Sequence, residues 1–187
     1  MTSTIYVEEL KGRTAGSNAN KVIVPTGQKI VGTDQASIYS PGMTIQTQGS
    51  STNTQIVDTT NPYNGVLMSC NITPKFSNSK VLIMMTWWMG WCNPNGALRL
   101  MRDSTSLAES ASGYDGGTGF WSADDTYENN YTQSSYAFNY LDSPGTTSQI
   151  TYALQANSYY DMYFNTSKQS TSHGSSTSTM ILQEIAQ

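Results

Sequence analysis

The sequence is 187 residues long and carries 9 Lys and Arg against 13 Asp and Glu, a formal net charge of −4. That length fits one compact domain with room for a short appendage, and only 12% of the residues are charged although 74 are Ser, Thr, Asn or Gln. A few dispersed cations on an acidic, charge-poor chain cannot neutralise a phosphate backbone, so nucleic acid is excluded as an expected partner.

In chain order, the first 40 residues stand apart. Residues 11–21 are rich in Gly, Asn and Ser, Val22-Ile23-Val24 is a β-branched triplet stopped by Pro25-Thr26-Gly27, and residues 29–31 read as a second short strand. Segments this short cannot bury a core, so residues 1–40 are expected to be an attachment or shaft segment and residues 41–187 a self-sufficient knob.

From Met43 onward the pattern is strand, turn, strand. The expected strands are 43–48, 53–58, 66–72, 80–91, 97–102, 106–111, 134–141, 148–155 and 177–185, separated by turns at Asn61-Pro62, Pro74, Asn93 to Gly96, Arg102 to Ser104 and Ser143 to Gly145. Short strands with no amphipathic helix between them predict an all-β fold, an antiparallel jelly-roll sandwich. The longest apolar stretch, Val81 to Trp91, has 11 residues, against about 20 for a helix that spans a bilayer. No membrane insertion is expected.

That stretch is also the most informative one. Alternation puts Val81, Ile83, Met85, Trp87, Met89 and Trp91 on one face and Leu82, Met84, Thr86, Trp88 and Cys92 on the other, and both faces are apolar. A two-layer antiparallel sandwich normally wets its outer faces, so the second face needs a cover. Another subunit is the simplest one, with Trp87, Trp88, Met84 and Met89 as interface candidates, and a loop from residues 112–131 is the alternative.

Catalytic signatures are weak. His173 lies in a Ser/Thr/Gly run and reads as a solvated loop residue, without the rigid setting that a nucleophilic triad needs. Gly113, Gly116, Gly117 and Gly119 are followed by neither a Lys nor a helix. Asp115, Asp124, Asp125 and Glu128 match no cation-loop spacing and read as a solvated acidic loop, so no enzyme activity, metal or cofactor is expected. The start of the chain shows no basic stretch followed by an apolar core, so folding in the cytoplasm is expected, with Cys70 and Cys92 as reduced thiols. Aromatics from Tyr114 to Tyr140 interleave with Asn, Ser, Thr and Asp, a composition that serves both packing and sugar stacking. Trp121, Tyr127, Asp124 and Asp125 are the ligand-contact candidates.

Four segments carry a resemblance: 71–83 (with Thr73-Pro74-Lys75-Phe76), 98–108 (with Arg102-Asp103-Ser104), Leu141 to Gly145, and 178–186 (with Gln183-Glu184-Ile185). Together they resemble the C-terminal domain of marine tailed-phage virion proteins, which is similar to the trimeric jelly roll of the C1q/tumour-necrosis-factor class. The opening, Ile5 to Thr14 with Lys21 to Gly27, resembles the N-terminal segment of the same proteins. The resemblance implies a non-enzymatic homotrimer on the virion surface, assembled in the host cytoplasm. Residues 1–40 would bind other virion proteins, and the knob would be a fibre tip or a capsid decoration that contacts a host surface glycan or protein. A free carbohydrate-binding lectin-like module is the second reading. The Trp87-Trp88 pair with Trp91 is heavier than the family pattern at that strand.

Overall fold

In the computed structural model, the residues described are 10–11, 14–17, 22–32, 38–58, 65–92, 96–108, 121–122, 133–158, 162–167 and 175–187, with backbone alone at 58, 91, 92, 96, 121, 122, 157 and 158. The chain divides into two units, Met1–Ile38 and Tyr39–Gln187. None of the described residues of the first unit is in a strand. The expected strand at 29–31 is thus corrected: Gln28 N–H closes a turn onto Pro25 C=O, Ile30 and Val31 are 65% and 77% exposed, and no ladder within the described residues pairs them.

The second unit is all-β. Its strands are β1 (Thr44–Thr52), β2 (Ile56–Asp58), β3 (Val66–Ile72), β4 (Lys80–Cys92), β5 (Gly96–Arg102), β6 (Thr105–Ala108), β7 (Trp121–Ser122), β8 (Ser134–Asp142), β9 (Ile150–Ser158), β10 (Met162–Phe164) and β11 (Ser178–Ile185). Two antiparallel sheets form a jelly-roll-like sandwich. The first runs β1-β11-β4-β10-β2 with β8 on the other edge of β4, and the second runs β3-β9-β5-β6 with β7 on β5. No helix among the described residues is long and apolar enough to cross a membrane.

Local chemistry explains several strand limits. Thr54 N–H bonds to Thr52 Oγ1 and Ser148 N–H bonds to Thr146 Oγ1, so short polar turns occupy positions that the strand pattern alone would have extended through. At the β5–β6 turn, Asp103 takes a positive φ of 51°. Its N–H donates to Thr151 C=O, and its Oδ1 accepts the Thr151 N–H, which stitches the turn to β9.

The core lies between the sheets. β4 contributes Val81, Ile83, Met85, Trp87 and Met89, all at most 2% exposed. Leu98 and Leu100 of β5, Tyr152 and Leu154 of β9, and Met180 and Leu182 of β11 meet them. Each such buried side chain contributes on the order of 2 kcal/mol in transfer terms. Tyr136, Phe138 and Tyr140 pack against this core from edge strand β8, half-buried, with Trp87 stacked on Tyr136 at 5.8 Å. For these three aromatics, packing is the role observed.

Candidate interaction surface

Strand register defines the outer face of the first sheet. Opposed residues in an antiparallel pair share a face, and the ladder sets Leu82 beside Gln183 and Leu141, Met84 beside Ile181 and Asn139, Thr86 beside Thr179 and Ala137, and Trp88 beside Ser135. β1 adds Thr47, Gly49 and Ser51 along the next row. None of these side chains is charged. Leu82, Met84 and Trp88 are partly exposed, and Ile181 and Leu141 are 39% and 49% exposed.

The outer face of the second sheet is different in kind. It presents Ser69 and Asn71 from β3, Thr151 and Gln155 from β9 and Arg99 from β5, interleaved with Val66, Ala153 and Met101, a mixed surface that carries polar and charged side chains among its apolar ones. The first sheet therefore has an apolar centre of Leu82, Met84, Trp88, Ile181 and Leu141 framed by small and amide side chains. An uncharged, apolar centre with a neutral polar rim is the composition of a protein-binding surface.

The interface candidates divide between the two sides of β4. Trp87 and Met89 are each 1% exposed and belong to the core, because they face the second sheet; they are not on the outer surface. Met84 and Trp88 are on the outer face. Ile181 and Leu141 were not singled out from sequence, although the alternation of β11 and of β8 marks them once the inward side of each strand is known. Of the ligand-contact candidates, Trp121 has its backbone in β7 opposite Leu98; its side chain, and all of Tyr127, Asp124 and Asp125, lie outside the described residues. His173, the acidic residues Asp115 and Glu128 and, apart from the β7 backbone at 121–122, residues 112–131 lie outside them as well.

One end of the sandwich is tied by two inward-facing carboxylates. Glu184 and Asp142 flank Val81 in a single cross-strand row of β11, β4 and β8. Arg102 Nη1 donates to both oxygens of Asp142 at 2.9 and 2.8 Å, and the Tyr152 hydroxyl donates to Asp142 Oδ2 at 2.7 Å. Burial, then the hydrogen bond to Asp142 and that carboxylate's charge, push the Tyr152 phenol far above its ordinary range, with Arg102 acting in the opposite sense. Glu184, 0% exposed, accepts the N–H groups of Lys75 and Phe76 at 2.8 and 3.2 Å and the Gln46 amide at 2.7 Å. The Asp142 pair cross-links the two sheets, through donors from β5 and β9 of the second sheet, whereas Glu184 ties its β1 neighbour Gln46 to the connection between β3 and β4. Among the described residues, no group of His, Cys, Asp and Glu is arranged to hold a metal ion.

Of the two cysteines, Cys70 is free and buried, and burial raises its thiol pKa; the Cys92 side chain lies outside the described residues. Asn165, in one of the three Asn-x-Ser/Thr sequences, is 0% exposed.

No protein-family model matches the sequence, and no curated protein matches it. Among solved structures, the chain is similar to a point mutant of the VP2 protein of infectious bursal disease virus in derived T=1 particles, at 12% identity and a TM-score of 0.38, over 85% of this chain and 41% of that one. It is also similar to VP2 of the same virus in a subviral particle, at 12% identity and a TM-score of 0.37, over 88% of this chain and 46% of that one. The chain thus spans less than half the length of either, and at these TM-scores neither match carries a functional assignment.

Proposed function

We propose that this chain is a non-enzymatic structural protein of a phage virion surface, which self-associates through the outer face of its first sheet. The observation that carries this reading is the uncharged apolar centre of Leu82, Met84, Trp88, Ile181 and Leu141 on a face that a monomeric sandwich would leave to water. Covering it gains about 5 kcal/mol per protomer before the cost of association. A homotrimer is the assembly that the family resemblance implies. The segments behind that resemblance meet within the knob: Arg102 of one segment pairs with Asp142 of another, and Lys75 and Phe76 of a third bond to Glu184 of a fourth.

In this reading residues 1–40 bind other virion proteins and the knob faces outward, as a fibre tip or a capsid decoration. Host glycan or protein would then be met by the ligand-contact candidates Trp121, Asp124, Asp125 and Tyr127. Purified particles test the proposal. Mass spectrometry should detect the chain as a stoichiometric component, and immunogold labelling should place it on the tail or on the head. A chain absent from particles and recovered free, with affinity for a glycan array, would favour the lectin-like module instead.

A further inference from the structure

Three segments distant in sequence converge at one end of the knob, and Glu184 joins them. Its Oε1 holds Lys75 N–H and Phe76 N–H, while its Oε2 holds the Gln46 amide of β1. The other amide proton of Gln46 goes to Thr73 C=O, and its oxygen accepts from Gln48 Nε2. Phe76 in turn lays its ring on Tyr39, with centroids 4.7 Å apart. Two residues beyond Glu184, Ala186 accepts the Gly42 N–H and donates to Met43 C=O, and Met43 N–H closes the turn onto Ser40 C=O. The chain between Tyr39 and Met43 is thus gripped from both sides, by a ring that Glu184 positions and by the strand that carries Glu184.

A carboxylate removed from water must have its lone pairs filled, and here three donors from two other segments fill them. An amide in its place keeps one acceptor oxygen and sets an NH2 donor against the donors on its other side, so the three can no longer be held together. We infer that Glu184 is the positioning residue of a clamp on residues 39–43, the root through which the N-terminal segment is joined to the knob. The clamp holds that root rigid while the rest of the sandwich is stabilised separately by its core and by the Asp142 tie. The inference rests on the reading of residues 1–40 as the anchor and adds how the anchor's root is held.

The test uses the full chain with E184Q, which replaces one acceptor oxygen by an amide donor, and F76A, which removes the ring under Tyr39 and leaves Glu184 intact. Hydrogen exchange should rise about tenfold or more in peptides covering 39–43 and 73–79 in both variants, with peptides from β5 and β9 unchanged. Uptake of both variants into particles should fall. A uniform rise across the knob, or no rise at the root, overturns the clamp; if E184Q fails to fold, F76A alone decides by the same criterion. Deleting residues 1–38 separates the two ideas. Abolished uptake on deletion with normal uptake of loosened variants overturns the clamp's role, whereas normal uptake on deletion overturns the anchor and leaves the clamp to be judged by exchange.

Discussion

Ser178 donates its hydroxyl proton to Asn165 Oδ1 at 2.6 Å, and the same Ser178 oxygen accepts the Trp88 N–H at 3.1 Å. Asn165 returns the favour to β4 by donating its own N–H to Trp88 C=O at 3.0 Å. Trp88 lies where β4 has left β11, whose ladder ends at Thr86, and has not yet met β10, whose ladder begins at Met89. The two polar residues occupy that gap and supply the backbone partners a sheet would otherwise provide. Asn165 takes a φ of 56° to do so, and its amide protons reach Thr52 and Thr54 C=O at the end of β1.

Asn165→Ala should therefore cost about 2 kcal/mol, since it orphans the buried Ser178 hydroxyl and removes the amide from the part-buried Thr52 and Thr54 carbonyls, while leaving a Cβ in the left-handed region. Asn165→Gly loses the same hydrogen bonds without that backbone penalty, so its cost should be smaller by up to about 1 kcal/mol. Urea unfolding of the two variants checks the order. Equal costs would mean that φ contributes nothing at this position.

Gly90 sits on the same stretch of β4. A Cβ there would strike Thr166 C=O and come within 3.0 Å of Ser167 Cα, both backbone atoms that cannot swing aside. Gly90→Ala should destabilise by about 2 kcal/mol or more, through displacement of residues 165–167 rather than through lost burial. The check is a thermal melt together with hydrogen exchange of the 162–167 segment, which should loosen first.

How legible these features were depends on the length over which a pattern repeats. β3, β4, β5, β8, β9 and β11 are long enough for alternation and β-branched runs to show, and each was anticipated to within three residues at either end. β10, three residues that are all buried, and β7, two residues long, offer no period to read. The jelly-roll class was legible for the same reason, as a count of strands and turns. The face of β4 was not: Trp87 and Trp88 are equally apolar, and only the position of the second sheet decides that the first is core and the second is outer surface. Asn165 and Glu184 were hidden because their partners are up to 113 and 138 residues away. In a chain full of Asn, Gln, Ser and Thr, nothing local separates a buried keystone from a solvated turn.

Cys70 should resist alkylation in the native protein. It is buried, and burial raises its pKa, so little thiolate is available to react. Iodoacetamide at about pH 8 should leave Cys70 unmodified until denaturant is added, as read by mass spectrometry of the peptide that contains it. Rapid native labelling would show that β3 opens readily.

Tyr152 makes stability depend on pH at the alkaline end. Its folded-state pKa is raised, so the native chain keeps a proton that the unfolded chain loses near pH of about 10. The contribution is complete below that pH and drains as pH rises above it, where the unfolded state binds fewer protons than the native one. Tyr152→Phe should lower stability by about 1 kcal/mol at neutral pH, by removing the donor to Asp142. It should also flatten the loss above about pH 10. Denaturant midpoints measured across that range decide the matter: parallel curves for the two proteins would assign the alkaline loss to other groups.

The outer face of the first sheet gives the sharpest test of assembly. If it is covered by sister subunits, the native chain should scatter light as a particle of about 61 kDa, three times 20.4 kDa. Met84→Glu combined with Ile181→Glu sets two like charges side by side at the apolar centre, because Met84 and Ile181 are cross-strand partners. Both point away from the core, so the variant should fold with a near-normal urea midpoint, yet run at 20.4 kDa. In an assembly each charge would be buried unpaired, at a cost of several kcal/mol that the gained apolar contact cannot offset. Ser69→Glu, on the mixed outer face of the second sheet, is the matched control and should leave the assembly intact. Trp88→Ser should weaken association too, since truncating an interface Trp commonly costs about 2 kcal/mol or more. A native chain that stays at 20.4 kDa at micromolar concentration, or a Met84→Glu/Ile181→Glu variant that still assembles, would remove this face from the interface.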